Sequence, residues 1–393
     1  MSEWKEVSLS ELGKTITGKT PSSQYPEDFG DEVPFITPSD SFEKKYISRS
    51  ERYLSRLGSD RLKDKIISSD SIMVTCIGSA MGKVAKNSLP SVTNQQINSI
   101  IVNENFDSDY IYYLFKNNYA VFRNAASGST AIPILNKTDF DNLRFKVELD
   151  LNQQRKMVSI LSKIDAKIEI NNQINQELEA MAKTLYDYWF LQFDFPDQNG
   201  KPYKSSGGKM VYNPEREREI PEGWEVEKLS HFLTIKNGKD HKHLQDGKFA
   251  VYGSGGIMRT VTDYLYSGES ILFPRKGTLN NVMYVNEKFW TVDTMFYSEV
   301  NKNNSALYVF YSVKDIDFNK LNTGTGVPSM TSSILYDLNI IVPEENILEK
   351  FNTIVKRNYE TIKLNNIQNQ ELTQLRDWLL PMLMNGQVKV EVE

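Results

Sequence analysis

Two long segments of the chain carry apolar side chains at alternating spacings of three and four residues, and the first contains no glycine or proline from about Leu151 to Leu191. The stripe of the first segment passes through Met157, Ile160, Ile164, Ile168, Ile174, Leu178, Met181, Leu185 and Tyr188. This spacing predicts helices over residues 150–193 and 344–386, each of roughly 60 Å at 1.5 Å per residue. Pro381 should kink or end the last turn of the second helix. Helices of this length need a partner, and the nearest partner is the other helix, which favours a coiled-coil pair.

The segments before each helix have a different pattern. Residues 1–149 and 223–343 contain short β-type runs, such as Ile97-Asn-Ser-Ile-Ile-Val, separated by Gly and Asn. A short helix is expected near residues 108–118. These segments are therefore predicted to be loop-rich α/β domains. Residues 194–222 are rich in Pro, Gly and charge and form a predicted connector, and residues 387–393 form a tail.

The chain is a tandem repeat. Trp4, Leu9, Gly18 and Lys19 recur as Trp224, Leu229, Gly238 and Lys239. The segment Asn171-Asn-x-x-Asn-Gln-Glu-Leu178 recurs as Asn365-Asn-x-x-Asn-Gln-Glu-Leu372. The order is therefore domain, helix, domain, helix. The predicted fold class is α+β, with two loop-rich α/β domains separated by two long antiparallel coiled-coil helices with pseudo-two-fold symmetry.

Asparagines lie at or beside the predicted helix stripe. Buried Asn pairs fix the register of a coiled coil at a cost in stability, whereas solvated asparagines on a polar face are the alternative. Both interpretations stand at this point. The residues assigned to helix pairing or partner docking are Ile164, Ile168, Asn171, Asn175, Leu178, Leu185, Ile362, Asn365, Asn369, Leu372 and Leu379.

Composition restricts the classes of function. The chain has 393 residues, and 46 Lys and Arg against 51 Asp and Glu give a net charge of −5, so any nucleic-acid contact must come from local basic patches. One cysteine and three histidines exclude an intrachain disulfide and a zinc-cluster framework. No apolar run reaches the roughly 18–20 residues of a membrane span, and the first residues do not resemble a signal peptide. A cytoplasmic protein is expected.

Motifs for catalysis are missing from the sequence. It contains no Gly-x-x-x-x-Gly-Lys-Ser/Thr phosphate loop and no Asn/Asp-Pro-Pro-aromatic methyltransferase motif, and Asn213-Pro-Glu does not replace the latter. His231, His241 and His243 could be ligands, but their Lys-rich surroundings favour solvated or phosphate-facing side chains. The pattern is typical of a protein that reads a ligand without transforming it.

Basic patches suited to DNA occur locally. Residues 43–65 contain eight basic and four acidic residues, and residues 236–248 form a Lys-rich loop. Arg275-Lys-Gly-Thr joins a predicted strand to a loop. Lys and Arg bind phosphates and set position, whereas Asn, Gln, Ser and Arg on loops read base edges. A solvated charged face is the simpler interpretation of each patch by itself.

These features together resemble the specificity subunit of type I restriction–modification systems. The resemblance covers essentially the whole chain and includes the connector, from Phe193-Asp-Phe-Pro to Glu219-Ile-Pro-Glu-Gly-Trp224. Tyr252-Gly-Ser-Gly-Gly-Ile, Arg275-Lys-Gly-Thr and Phe289-Trp-Thr-Val-Asp-Thr are similar to motifs of the family's target-recognition domains. Val33-Pro-Phe-Ile-Thr-Pro-Ser-Asp40 takes that part in the first domain.

The resemblance implies a non-catalytic subunit whose two target-recognition domains each read one half of an asymmetric bipartite DNA sequence. It also implies two methyltransferase subunits docked near the helices and restriction (motor-nuclease) subunits outside them. S-adenosylmethionine would be bound by the methyltransferases, and this chain would bind no cofactor or metal. Because the first domain lacks the Tyr-Gly-Ser-Gly-Gly motif, we expect its base-reading loops not to align with those of the second.

The candidate DNA-contacting residues lie on the basic and polar loops of both domains. Those of the first domain are Lys19, Thr20, Thr37, Ser39, Asp40, Lys44, Lys45, Lys83, Asn94, Gln95, Gln96, Ser127, Ser129 and Thr130. Those of the second domain are Lys239, Lys242, Tyr252, Ser254, Arg259, Arg275, Lys276, Thr278, Thr323 and Thr325. Two other functions remain as alternatives, a self-contained DNA methyltransferase or nuclease and a coiled-coil protein-binding adaptor.

Overall fold

The computed structural model describes residues 3–78, 81–125, 134–324 and 326–390. The chain divides into two compact units, one of Met1–Ile170 with Gln368–Glu393 and one of Asn171–Ile367. Among the described residues, no helix has the length and apolar character needed to cross a membrane.

The first domain is built mainly from short strands, because β-branched and aromatic runs are repeatedly interrupted by Gly, Asn and Ser. Its strands are β1 (Trp4–Ser8), β2 (Gly13–Thr17), β3 (Phe29–Gly30), β4 (Val33–Ile36), β5 (Tyr46–Ile47), β6 (Tyr53–Leu54), β7 (Ile66–Ile67), β8 (Ile72–Thr75), β9 (Val84–Asn87), β10 (Ser91–Thr93), β11 (Ile97–Val102) and β12 (Arg144–Glu148). Its helices are α1 (Leu9–Leu12), α2 (Arg56–Arg61), α3 (Ser108–Asn117), α4 (Tyr119–Ala125) and α5 (Lys137–Asp141). The helix expected near residues 108–118 is thus confirmed as α3.

These strands form two five-stranded sheets, in the orders β3-β6-β4-β10-β7 and β2-β11-β8-β9-β5, and a separate β1–β12 ribbon. Helix α3 starts at an N-cap, where the Asp107 carboxylate accepts hydrogen bonds from the amides of Asp109 and Tyr110. Its aromatic side chains are buried in the core of the domain, among them Tyr110, Tyr113 and Phe115.

A long helix, α6 (Leu151–Tyr186), follows β12 and continues as a π-helical turn over Asp187–Leu191. The next segment forms the hairpin β13 (Met210–Asn213) and β14 (Arg218–Pro221). The second domain then contains β15 (Glu225–Lys228), β16 (Leu233–Asn237), β17 (Asp246–Gly253), β18 (Gly256–Val261), β19 (Tyr266–Pro274), β20 (Met283–Thr291), β21 (Met295–Val300), α7 (Ala306–Lys314), α8 (Ser332–Tyr336) and β22 (Asn339–Val342), and the last helix is α9 (Glu345–Met384). Its main sheet has six strands in the order β16-β21-β19-β20-β17-β18.

The repeat seen in the sequence also appears in the strand pairing. In the first domain β1 pairs antiparallel with β12, and Trp4 lies opposite Glu148. In the second domain β15 pairs antiparallel with β22, and Glu225 lies opposite Val342. In both cases the ribbon joins the start of a domain to the strand that precedes a long helix. The predicted α+β fold, with two sheet-rich domains and two long helices packed together, is confirmed.

Helices α6 and α9 run antiparallel in the second unit. Asn175 is buried; its amide nitrogen donates to Oδ1 of Asn366 (3.0 Å), and its Oδ1 accepts from Asn365 (2.8 Å). One turn further along α6, the carbonyl of Leu178 accepts from Asn358, which lies earlier in α9. In this unit Asn175 and Asn365 are therefore hydrogen-bonded to each other between the helices, an arrangement that can fix the register of a coiled coil.

The second half of the predicted α6 stripe lies only partly on the packed face, since Leu178 and Leu185 are half-buried but other positions are exposed. Ile174 and Met181 are 40% and 59% exposed, whereas the buried positions include Asn175 and Ala182. The apolar pattern is misleading here because a small alanine and a hydrogen-bonded asparagine occupy the packed face. The larger apolar side chains are left on the other face. Pro381 lies inside the last turn of α9, which ends three residues later at Met384.

The connector is packed against the second domain by aromatic rings. Phe195 stacks between Tyr203 (centroids 4.7 Å apart) and Trp224 (4.8 Å). Phe193 is fully buried and meets Trp224 edge to face at 5.8 Å. Offset and edge contacts of this kind add about 0.5–1.5 kcal/mol per pair beyond area burial. The connector is therefore an ordered part of the second unit.

Candidate nucleic-acid interface

In the first domain, the turn between β10 and β11 (residues 94–96) is held against the end of β2. The Lys19 amide donates to the carbonyl of Thr93 (2.8 Å), and the Gly18 amide donates to that of Ile97 (3.2 Å). A Cβ atom at Gly18 would overlap the carbonyl oxygens of Thr93 and Asn94. Only glycine allows the two backbones to approach this closely.

The second domain repeats this arrangement bond for bond. The Lys239 amide donates to the carbonyl of Thr291 (2.9 Å), and the Gly238 amide donates to that of Met295 (2.9 Å). A Cβ atom at Gly238 would overlap the carbonyl oxygen of Val292. The turn between β20 and β21 (residues 292–294) is thus the structural counterpart of residues 94–96.

A third segment packs on the other side of each turn. In the first domain the Cys76 amide donates to Gln96 (2.8 Å), and the Leu135 amide donates to Cys76 (2.9 Å). In the second domain the Arg275 amide donates to Thr294 (2.8 Å), and the Met330 amide donates to Arg275 (2.9 Å). Two residues after Cys76 and two residues after Arg275, a glycine has positive φ, +66° at Gly78 and +91° at Gly277.

The loops of the two domains can therefore be superposed by their backbone hydrogen bonds. The expectation that they would not align is wrong. The Tyr-Gly-Ser-Gly-Gly motif on which that expectation depended lies in the β17–β18 hairpin, whereas the shared frame is formed by other loops. Each domain brings three loops together around a short turn, and the side chains on that turn differ.

Cations surround the turn of the second domain. Arg275 and Lys276 are exposed, and both of their amides donate to the carbonyl of Thr294 (2.8 and 3.2 Å). Lys239 and Lys242 are exposed on the loop that follows β16. Such side chains bind phosphates and position a duplex, so this edge has the electrostatic character of a nucleic-acid interface.

Arg259 holds the Lys-rich loop in place. Its guanidinium donates to the carbonyl oxygens of His241 (3.3 Å) and Leu244. Trp290 donates its ring N–H to the carbonyl of Lys239 (2.9 Å). Arg259 therefore orients the lysines that are offered to a ligand, and one of its terminal guanidinium nitrogens makes both of these hydrogen bonds.

Three of the predicted contact residues are buried. Asp40 accepts from the amides of Thr37 (2.7 Å) and Glu51 (2.9 Å) and so ties two loops together. The Asn94 side chain donates to Oε1 of Gln96 (3.2 Å) and accepts a hydrogen bond from the backbone amide of Gln96. Tyr252 donates to Glu287 (2.9 Å), and burial together with that carboxylate raises the pKa of its hydroxyl. In the fold as described, these three side chains support loops and do not face solvent.

Lysines of the first domain differ in their availability. Lys45 is largely covered and pairs with Asp109 (2.7 Å). Lys83 pairs with Glu43 (2.9 Å), and the hydrogen bond and charge of Lys83 lower the pKa of Glu43. Lys44 makes only an exposed 3.5 Å pair with Glu169. Exposed pairs of this kind contribute about 0–1 kcal/mol, so Lys44 and Lys83 can exchange their partners for a phosphate.

The remaining predicted residues fall into three groups. Those with exposed side chains are Lys19, Ser39, Lys44, Lys83, Gln95, Lys239, Lys242, Arg275, Lys276, Thr278 and Thr323. Those that are half-buried are Thr20, Thr37, Lys45, Gln96, Ser254 and Arg259. Ser127, Ser129, Thr130 and Thr325 lie outside the described residues. The contact residues predicted from the sequence do not include Asp293 and Thr294, which occupy the positions equivalent to Gln95 and Gln96, although both lie within the Phe289-Trp-Thr-Val-Asp-Thr motif.

Groups suited to catalysis or metal binding are scarce. Burial raises the pKa of the Cys76 thiol to about 12, which leaves it protonated and unreactive near neutral pH. Within residues 3–78, 81–125, 134–324 and 326–390, no cluster of three His, Cys, Asp or Glu side chains could hold a metal ion.

The assigned helix residues occupy both buried and partly exposed positions. The buried residues are Ile164, Asn171 and Asn175. The half-buried residues are Ile168, Leu178, Leu185, Ile362, Asn365, Asn369, Leu372 and Leu379. The outer face of α6 in the second unit forms an open, mainly apolar groove lined by Glu177, Ala180, Met181, Thr184, Leu185 and Tyr188. This groove is a surface that a partner could cover.

Comparison with known proteins agrees with this description. The family described as "Type I restriction modification DNA specificity domain" matches residues 1–180 and 221–374. The chain is 30% identical to the type I restriction enzyme MjaIX specificity subunit of Methanocaldococcus jannaschii, over 99% of this chain and 94% of that protein. It is 23% identical to the HindI specificity subunit of Haemophilus influenzae, over 99% of this chain and all of the relative.

A solved structure shares the fold. The crystal structure of the type I restriction–modification S subunit from M. genitalium matches with a TM-score of 0.64 at 17% identity, over 100% of this chain and 97% of that chain. The chain belongs to the family of type I restriction–modification DNA specificity subunits. It is thus the non-catalytic specificity component of such a system, as its resemblance to the family implied.

Proposed function

We propose that each domain reads one half of an asymmetric bipartite DNA sequence. The observation that carries this proposal is the shared backbone frame of the two turns. Residues 94–96 and 292–294 have the same hydrogen-bonded surroundings but different side chains, Asn-Gln-Gln and Val-Asp-Thr. Equal frames with unequal side chains suit two readers of the same kind with different targets. Basic side chains beside each turn would supply the phosphate contacts.

We propose in addition that the long helices dock two methyltransferase subunits. Two pairs of repeat-related positions support this. Met181 is 59% exposed and its counterpart Leu375 is 44% exposed, and Ile170 and Leu364 are both exposed as well. Large apolar side chains repeated on the surface of two related helices are suited to two copies of one partner. S-adenosylmethionine would be bound by those partners, and family membership supports additional restriction subunits. The cytoplasm is the proposed place of action.

Methylome sequencing tests the first proposal. The full chain is expressed with its methyltransferase partner in cells that lack other modification systems, and a modified split sequence is expected. The chain without its partner should modify nothing. A contiguous motif, or methylation by the chain alone, would contradict the proposed function.

A domain exchange tests the independence of the readers. Residues 1–149 are replaced by those of a relative, and the modified sequence is determined again. One half of the split motif should change, while the half read by the second domain stays as it was. A change in both halves would show that the domains do not read independently.

A further inference from the structure

The middle positions of the two equivalent turns present opposite hydrogen-bonding groups. Gln95 and Asp293 are both exposed. Each lies two residues after the threonine, Thr93 or Thr291, whose carbonyl accepts the amide of Lys19 or Lys239. One side chain is an amide and the other is a carboxylate. Resting on the proposed function, we infer that these two residues select the base at one position of each half-site. Asp293 accepts a hydrogen bond from an exocyclic amino group, and Gln95 donates to a base acceptor.

In the first domain, the contacts of the turn leave donors facing outward. The Thr20 hydroxyl donates to Oε1 of Gln95 (2.6 Å), which leaves the Gln95 amide nitrogen as the group available to a ligand. Oε1 of Gln96 is occupied in the same way by Asn94 (3.2 Å). Gln95 is exposed, and its amide nitrogen, which makes no hydrogen bond with a described residue, matches the N7, O6 and O4 acceptors that bases present in the major groove.

In the second domain, the exposed group is an acceptor only. The carboxylate of Asp293 makes no hydrogen bond or ion pair of its own with any described residue, although Arg275 and Lys276 are bonded through their amides to the adjacent Thr294. Val292, at the position of Asn94, is buried and contributes no polar atom. An ionised carboxylate has acceptors and no donors, so its partner must carry a donor hydrogen.

The charge of Asp293 makes its position informative. The cations around the turn suit phosphates, and a carboxylate among them would repel phosphates and weaken every complex in which it met the backbone. Such a carboxylate is compatible with tight binding only where a donor faces it. On DNA these donors are the amino groups of cytosine N4, adenine N6 and guanine N2. Asp293 is therefore a specificity-determining residue, and the half-site of the second domain carries an amino-bearing base opposite it.

Two shape-preserving substitutions test the inference in the complete complex. Asp293→Asn and Gln95→Glu each exchange amide and carboxylate with almost no change in size. D293N should lower the preference for the wild-type base at one position of the second domain's half-site by roughly tenfold or more. Q95E should do the same in the half-site of the first domain. In each case the other half-site should be unchanged, as measured by methylome sequencing and by competition binding.

Matched controls apply the same chemistry elsewhere. The controls are Asp263→Asn and Asn105→Asp. Asp263 follows the end of β18, Asn105 follows the end of β11, and both residues are exposed. Both controls should leave the modified motif unchanged. If D293N and Q95E also leave it unchanged, the inference is overturned while the proposed function stands. If the wild-type complex yields no split motif, both are overturned.

Modified DNA provides a measurement that does not depend on a variant folding. The wild-type complex is tested on its target with single bases replaced by 2-pyrimidinone, purine or inosine. These analogues lack the amino group of cytosine N4, adenine N6 or guanine N2, respectively. One replacement in the second domain's half-site should weaken binding roughly tenfold or more and should have no further effect on D293N. Full affinity for all three analogues would refute the role of Asp293.

Discussion

A buried lysine holds the sheet and the helix of the first domain together. Lys86 lies on β9 and is 0% exposed; its ammonium contacts Asp70 (2.6 Å), Asp109 (2.5 Å) and the Ser108 hydroxyl (3.0 Å). Replacing Lys86 with Met keeps the length of the side chain and removes the charge. Removing one partner of a buried ion pair costs about 3–5 kcal/mol, because the other charge is left uncompensated.

The structure places the expected cost at the low end of that range. Asp109 keeps a 2.7 Å pair with Lys45, and the Asp70 side chain is 49% exposed and can be hydrated. We therefore expect Lys86→Met to lower the free energy of unfolding of the first unit by about 3 kcal/mol. The double variant with Asp109→Asn should lose less than the sum of the single losses, with a coupling of at least about 1 kcal/mol.

Native-state hydrogen exchange measures this loss unit by unit. Amides of β9 and α3 report the first unit, and amides of the second unit serve as an internal reference that should not change. A loss below about 1 kcal/mol, or additive single losses, would refute the assignment of Lys86 as the central charge of the network.

The same network predicts a dependence on pH. Burial alone would raise the pKa of Asp109, but hydrogen bonds and charges from Lys45 and Lys86 outweigh it and hold the pKa below its ordinary value of 3.8. A carboxyl whose pKa is lowered by folding contributes stability above its unfolded pKa and loses it as the pH falls through the folded value. Acid unfolding of the first unit should therefore begin at higher pH in the Lys86→Met variant, which acid titration followed by circular dichroism would show.

Three further variants test other parts of the structure. Replacing Arg275 and Lys276 with Ala should weaken DNA binding and reduce the slope of log affinity against log salt by roughly 1.8, for two phosphates, and an unchanged slope would exclude this loop from the interface. Gly238→Ala should destabilise the second unit by about 1–3 kcal/mol in urea unfolding, since its Cβ would overlap the carbonyl of Val292; a neutral effect would contradict the close backbone approach. Asn175→Ala removes hydrogen bonds of 2.8 and 3.0 Å and should cost about 1–3 kcal/mol in thermal unfolding, with Gln176→Ala as an exposed control that changes little.

The helices and the repeat could be predicted because they depend on periodicity and on local identity. Helix α6 begins at Leu151 and α9 at Glu345, within a residue of the predicted starts. It was harder to predict which face of α6 packs against the rest of the protein. A period of 3.5 selects the largest apolar side chains, and Met181 satisfies it better than Ala182 does. The packed face is decided by the neighbouring helix α9, which leaves room for a small side chain and makes two hydrogen bonds with Asn175.

The interface was predictable in its charge and only partly in its geometry. Lys239, Arg275 and Lys276 were found because clusters of basic residues are visible in a sequence. Asp293 lies within the Phe289-Trp-Thr-Val-Asp-Thr motif but was not predicted as a contact residue, since its equivalence to Gln95 rests on backbone hydrogen bonds, which leave no trace in side-chain identity. Tyr252 shows the reverse case, because a motif drew attention to a residue that is buried against Glu287.

The frame around each turn has a consequence for how this protein changes over time. The strand ends are fastened through main-chain atoms, as in the pairs of Lys19 with Thr93 and Lys239 with Thr291, so the residue at the apex contributes little to folding. If the apex residue selects a base, as proposed above, mutation there changes the preferred ligand at little cost to the architecture. A lineage under pressure to mark different genomic sequences would then acquire a new preference through single codon changes, without waiting for a whole domain to be exchanged.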